Sequence, residues 1–267
     1  MSRVTKLIRL LIPRKIRQTL RKVRFDFRNS RFTPYVEKKN VDGIAFDFLI
    51  GDVVGQDWYG GGNSLSPEMR FIRDHILQEG DVVLECGAHH GYTTILFANW
   101  VGDKGKVVAF EAAPGSADIL QANIELNNLK NVIVEKKAVS SREGSVFITD
   151  ESNCEVISGK SGQAPVEATY LDKYRHLTPT FLKIDVEGFE VEVLKGAKEI
   201  LKSSPKLAIE VHADWLRYYK CSAEDVFRLI DEQSYTLWIQ WNDEDEPELY
   251  DGRSSISQRV HLFAVPK

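Results

Sequence analysis

A chain of 267 residues, 43% of them hydrophobic and 28% charged, has room for one α/β domain with additions and is too apolar to stay disordered. Three widely spaced cysteines, Cys86, Cys154 and Cys221, form neither a disulfide framework nor a zinc pattern, so a reducing, cytoplasmic setting is expected. No run is long and apolar enough to span a membrane. The formal net charge of −4 hides an asymmetry: nine Lys/Arg and no acid up to Arg24 leave 26 basic against 39 acidic residues beyond it.

Residues 1–40 are expected to form a basic N-terminal segment. Val4, Leu7, Ile8 and Leu11 share one helical face, with Arg3, Lys6 and Arg9 elsewhere. After Pro13 the pattern resumes with Ile16, Leu20, Val23 and Phe27. Arg9 splits an already short apolar run, which argues against a secretory signal. A basic amphipathic helix suits either an anionic membrane surface, which would make the protein peripheral at the inner membrane, or the acidic body of the protein itself. Nucleic acid is not an expected partner, because the basic residues are confined to one tail beside an acidic domain.

Residues 41–79 are expected to give a hairpin over 41–59 (Ile44, Phe46, Phe48 and Ile50 alternate), the Gly60–Gly62 lid or linker, and a helix from Ser66–Pro67 to Leu77. The main domain, 80–267, then alternates: strand 82–86, helix 91–101, strand 106–111, helix 114–128, strand 132–138. An inserted hairpin is expected over 139–170, around Gly159–Gly162. Strand 181–185, helix 190–203, strand 207–212, helix 223–232 and strands 235–241 and 259–265 complete the pattern. The acidic stretch Asp243–Glu248 reads as a solvated loop. The fold class is α/β, a doubly wound, mostly parallel, seven-stranded Rossmann-like sheet.

In such a sheet ligands lie beyond the carboxyl ends of the strands. The first strand runs into the turn Glu85-Cys86-Gly87-Ala88-His89-His90-Gly91, and the second ends at Glu111, where a carboxylate can accept both hydroxyls of a ribose. A nicotinamide-binding turn needs Gly-x-Gly-x-x-Gly; His89 and Tyr92 stand where its second and third glycines belong, which disfavours an oxidoreductase. The spacing Glu85-x-Gly87-x-x-x-Gly91 instead resembles the acid-x-Gly-x-x-x-Gly turn of S-adenosylmethionine enzymes. Asp185, Glu187, Glu210 and His212 end the next two strands. If those strands are neighbours, Asp185, Glu187 and His212 can meet in the cleft. His212 is the candidate base, and Asp185 would orient it, hold the amino group of the methyl donor, or act as the base. The bland alternatives are helix capping by Asp185 and Glu187 and a locally bonded strand-end histidine. The same four residues have donors suited to a divalent ion, but no spacing requires one and none is predicted. His89 and His90, adjacent on a turn, are poorly placed to face one ion; one of them is expected to line the cofactor pocket.

These segments, followed by Ala109-Phe110-Glu111, Asn123-Ile124-Glu125-Leu126-Asn127-Asn128, Lys137-Ala138-Val139-Ser140, Lys183-Ile184-Asp185-Val186-Glu187-Gly188-Phe189-Glu190 and Val193-Leu194-Lys195-Gly196-Ala197, resemble the FkbM family of S-adenosylmethionine-dependent methyltransferases over roughly residues 80–212. The resemblance implies a class I methyltransferase fold and O-methylation of a hydroxyl on a glycan sugar or a secondary metabolite. It implies that Glu85, Gly87, Gly91 and Glu111 hold the cofactor, with Ala138 near the adenine. Ala88, His89, Thr93 and Ala112, beside them on the same loops, and Asp185 complete the expected cofactor set. The chain departs from the family pattern at Glu85 (usually Asp), His89 (usually Asn) and Ala112 (commonly Pro). Trp58, Tyr59, Trp215, Tyr218 and Tyr219 are candidates for stacking on a sugar acceptor, and the basic start makes a lipid-linked glycan attractive. A non-catalytic S-adenosylmethionine-binding protein is the alternative.

Overall fold

The computed structural model describes residues 27–149, 156–157, 165–252 and 254–267. The basic helix expected within 1–24 and the Gly159–Gly162 turn lie outside the described residues. Strands β1 (Tyr35–Val41) and β2 (Ile44–Ile50) form an antiparallel hairpin. Its tip is Asp42–Gly43, both at positive φ (56° and 80°), the backbone that matches the twist of a two-residue hairpin. The expected hairpin extends too far, because Val53–Tyr59 is a helix, α1. Asp52 caps it by accepting the Gly55 N–H at 2.7 Å, a local bond that ends the strand. Helix α2 (Pro67–Phe71), capped by Ser66, widens into a π-helical turn over Ile72–Ile76.

The main sheet joins β3 (Val82–Cys86), β4 (Lys106–Phe110), β5 (Val132–Glu135), β10 (Phe181–Ile184), β11 (Lys206–His212), β12 (Tyr235–Gln240), β13 (Glu248–Leu249) and β14 (Arg259–Pro266). Their order is β13-β12-β14-β11-β10-β3-β4-β5. Pairing is parallel from β5 to β11, while β14, β12 and β13 are antiparallel. The eighth strand, two residues long, lies in the acidic stretch read as a loop. Chain order reverses between β3 and β10, which opens a crevice at their carboxyl ends.

Alternate residues feed two cores. Leu84, Val108 and Leu182 face α5 (Glu190–Lys195) and α6 (Lys198–Leu201), whereas Val83, Val107 and Phe181 face α3 (Tyr92–Val101) and the hairpin residues Phe46, Phe48 and Ile50. Helix α4 (Pro114–Leu126) fixes the hairpin through asparagines: Asn123 Oδ1 accepts the Leu49 N–H at 2.6 Å, and its Nδ2 donates to the Leu49 and His90 carbonyls. The expected helix 190–203 breaks at Gly196, where an added Cβ would stand 2.2 Å from the Ser140 carbonyl oxygen. The expected strand 132–138 also breaks. Its end, β6 (Ala138–Val139), joins β7 (Gly144–Ile148), β8 (Val156–Ile157) and β9 (Val166–Thr169) in a second sheet rather than a simple hairpin. Helices α7 (Ala213–Leu216) and α8 (Ala223–Leu229) follow β11. No described helix is long and apolar enough to cross a membrane.

Candidate active site

The turn after β3 is shaped by close approach. Gly87 has φ 87°, and a Cβ there would stand 1.8 Å from the Asp185 carbonyl oxygen, so only glycine lets the two strand ends meet. The Gly87 and Ala88 N–H groups both donate to the Phe110 carbonyl at 3.0 Å, which binds the turn to β4. His89 adopts φ 50°, a left-handed conformation that Asn and His tolerate better than most residues. Glu111 then ties the loops together: it accepts the His89 N–H and the Ala113 N–H, each at 2.8 Å. Burial pushes its carboxyl up to about 7, although these backbone bonds work in the other direction.

A cleft of about 890 Å³ opens above these strand ends. Of the residues singled out from sequence, Gly87, Ala88, His89, Thr93, Glu111, Ala112, Ala138, Asp185, Glu187 and His212 line it. Glu85 and Gly91, also in the expected cofactor set, do not line it. Glu85 is fully buried, with one oxygen taken by Thr93 and the other accepting the Thr94 hydroxyl at 2.6 Å. It therefore fastens the turn to α3. At Gly91, with φ 85°, a Cβ would lie 2.4 Å from Leu120, so this glycine serves packing.

Sequence reasoning gave no role to Lys183, Arg259, His261, Glu68 or Asp57, which also line the cleft. The available signal was polarity at alternate positions in apolar strands: Lys183 and Asp185, Glu210 and His212, Arg259 and His261. The antiparallel register sets Glu210 opposite His261 and His212 opposite Arg259. Lys183 Nζ lies 2.8 Å from Asp185, Arg259 bridges Glu210 and Asp243 at 2.5 Å, and His261 lies 3.5 Å from Glu68 and 3.3 Å from Asp243. Asp243 is exposed in the expected solvated loop and from there also reaches the cleft.

Burial alone would keep Asp185 protonated, but Lys183 and His212 outweigh it and hold the carboxyl well below its usual range. Glu210 is pushed up to about 7 by burial and by Asp185. Burial disfavours charge on His212, yet the hydrogen bond it donates to Glu190, with the charges of Glu190, Glu210 and Asp185, raises it to about 9. Its Nδ1 lies 2.7 Å from Glu190, while Nε2 is 3.5 Å from Glu210 and 3.6 Å from Glu187. Asp185, Glu187 and His212 are brought together at one end of the cleft.

The N-terminal unit supplies another part of the cleft wall through Asp57, Trp58 and Tyr59 on α1. Tyr59 Oη lies 3.0 Å from His89 Nδ1; burial, then the charge of His90, pushes His89 down to about 3, so the hydroxyl meets a neutral ring. Of the other candidate aromatics Trp215 lines the cleft, whereas Tyr219 donates to the Val156 carbonyl at 2.6 Å and Tyr218 is exposed.

Two groups of metal-type donors occur among the described residues, Asp52–His89–His90 and Asp185–Glu210–His212. The His89 and His90 rings stack 4.0 Å apart at 10°, so an ion in the plane of one ring is out of the plane of the other. Asp185 and Glu210 already face Lys183 and Arg259. Neither group suits a cation. S-adenosylmethionine fits better: Glu111, a buried carboxyl at the crevice edge, retains acceptor capacity for a ribose.

A parallel sheet that reverses at β3 and β10, with a glycine turn and a ribose-type acid at the crevice, defines a class I methyltransferase fold. The methyltransferase FkbM domain matches residues 85–237, and the chain belongs to this family of S-adenosylmethionine-dependent methyltransferases. It is 28% identical over 181 residues to the hexuronic acid methyltransferase AglP of Haloferax volcanii, a match covering 63% of this chain and 69% of that protein. The crystal structure of a methyltransferase FkbM from Methylobacillus flagellatus superposes with a TM-score of 0.50 at 18% identity. That match covers 75% of this chain but only 48% of the other, so the chain spans about half the length of that protein.

Proposed function

We propose that the protein is an O-methyltransferase that transfers a methyl group to a hydroxyl of a glycan sugar or a secondary metabolite. The observation that carries this reading is His212: its Nδ1 is held from behind by a buried carboxylate and its Nε2 faces the cleft among Glu187, Glu210 and Asp185. Bound S-adenosylmethionine supplies an activated methyl on a positively charged sulfonium, a charge that opposes the imidazolium form of His212. A sugar hydroxyl is a weak nucleophile, so a base aligned with it lowers the barrier as its proton departs. Neutral His212 fills that role at Nε2. Asp185, kept ionised by Lys183, offers an acceptor for a cationic amino group. Trp58 and Trp215 present aromatic surface to a sugar ring. The similarity to a hexuronic acid methyltransferase supports a sugar acceptor.

The test is incubation of the purified protein with methyl-labelled S-adenosylmethionine and a panel of glycans, followed by mass spectrometry of the products. Labelled methyl ethers on a sugar are expected. Binding of the donor without transfer to any hydroxyl would favour the non-catalytic alternative.

A further inference from the structure

We propose that Glu190 is a positioning residue that fixes the tautomer and aim of His212; the inference rests on the methyl-transfer reading above and deepens it. Glu190 is the first residue of α5, and a carboxylate there has an ordinary use as a cap. Its Oε1 does accept the Gly188 N–H at 2.9 Å. Capping does not account for the rest. Glu190 is fully buried, the same oxygen meets His212 Nδ1 at 2.7 Å, and Oε2 is sealed from solvent without a hydrogen-bond partner. A carboxyl group placed this deep with one oxygen unpartnered is costly unless it serves a specific partner, and the side chain it meets is the His212 ring.

The geometry also fixes which ring nitrogen carries the proton. Nδ1 faces two acceptors, Glu190 Oε1 and the Glu210 carbonyl oxygen at 3.1 Å, so it holds the hydrogen. The lone pair of the neutral ring then sits on Nε2, which faces the cleft. The charged and titratable groups around the ring are Glu187 and Glu190 from the turn and helix after β10, Asp185 from the end of β10 with Lys183 behind it, Glu210 from β11, and Arg259 from β14, set opposite His212 and paired with Glu210. The turn is built for this placement. Glu187 (φ 49°) and Gly188 (φ 93°) are both left-handed, and a Cβ on Gly188 would meet Trp215 Cβ at 2.5 Å.

In the transfer step the acceptor oxygen forms a bond to the methyl carbon. The carbon–sulfur bond breaks with its electrons going to sulfur, and the hydroxyl proton passes to Nε2. Glu190, hydrogen-bonded at Nδ1, steadies the imidazolium until the proton leaves for solvent.

The experiment compares Glu190→Gln, Glu190→Asp and His212→Asn in the full chain. It measures kcat against pH, S-adenosylmethionine affinity by calorimetry, and the His212 tautomer and titration by nitrogen NMR. Glu190→Gln still offers an oxygen to Gly188 but no charge to the ring. It should lower kcat at least about a hundredfold. It should also move the His212 titration down and disturb the Nδ1–H tautomer, while cofactor affinity changes less than about threefold. Glu190→Asp should recover part of the rate. Wild-type kcat and pH profile in Glu190→Gln, with His212→Asn inactive, would overturn the inference alone. Full activity of His212→Asn would instead overturn the reading beneath it. A wild-type His212 protonated at Nε2 in its neutral form would also overturn the inference, whether or not the variants fold.

Discussion

Glu111 and His89 stand 22 positions apart in the chain, yet the Glu111 carboxylate accepts the His89 N–H at 2.8 Å. With the Ala113 N–H on its other oxygen, this one side chain aligns the loops at the ends of β3 and β4. The carboxyl group still has acceptor capacity for a ribose hydroxyl. Glu111→Gln should therefore weaken S-adenosylmethionine binding about tenfold or more, the loss of about 1.5–3 kcal/mol expected for a charge-assisted bond. Calorimetry checks it, and unchanged affinity would remove Glu111 from the ribose site. Because burial pushes this carboxyl up to about 7, affinity in the wild-type protein should rise between pH 6 and 8 as the stronger, ionised acceptor becomes populated.

Gly87→Ala should be among the most damaging single changes. The added Cβ would overlap the Asp185 carbonyl oxygen at 1.8 Å, from a backbone already at φ 87°. Separating these groups moves β3 from β10 at the crevice. A loss of at least about 2 kcal/mol in denaturant unfolding is expected, together with loss of cofactor binding. A folded variant of wild-type affinity would contradict this account of the turn.

His212→Ala should slow turnover by about 10²–10⁴, the usual contribution of a positioned base. Cofactor binding should persist, since Gly87 and Glu111 are untouched. In the wild-type protein kcat/KM should climb with pH toward the His212 value of about 9. A profile flat from pH 6 to 10 would exclude His212 as the proton acceptor.

Stability should fall as the solution becomes alkaline. His212 and His261 are raised to about 9 and 10, so their stabilisation is complete below the ordinary histidine value and is lost as pH climbs through the raised ones. For His261, burial disfavours the charge, and Glu68 with Asp243 more than offsets it. Glu111 and Glu210, raised to about 7, act with the same sign, because the folded state holds protons that the unfolded chain has released. Asp185 and Asp243 are depressed and act with the opposite sign in acid below the usual carboxylate range. His89, pushed down to about 3, does so up to the ordinary histidine value, a smaller opposing effect than the two raised histidines together. Thermal melts at pH 6 and pH 9.5 should show a lower midpoint at the higher pH, and His261→Gln should reduce that difference. Equal midpoints in the wild-type protein would mean that His212 and His261 are neutral when folded.

Much of the site is legible because its key residues sit at the ends of apolar strands. A run such as Val82–Cys86 must be buried, so the residue types that follow it stand at a crevice edge, and Glu111, Asp185 and His212 can be picked out by that rule alone. Glu85 defeats the rule. It falls one step inside the strand end and faces α3, where Thr93 and Thr94 consume its oxygens. The helix over Val53–Tyr59 is also hidden, since Asp52 can cap a helix or end a strand equally well in sequence.

The sequence by itself determined the alternation of strands and helices, the glycine turn and the acids at the strand tips, because these follow from hydrophobic period and backbone sterics within a few residues. Only the tertiary structure decided which charges answer one another. The strand register sets Glu210 against His261 and His212 against Arg259, and a one-residue slip would send these side chains to the other face. The return of α5 puts Glu190 beneath a histidine 22 positions further along the chain. Such pairings depend on long-range packing and desolvation, which no local pattern of residues encodes.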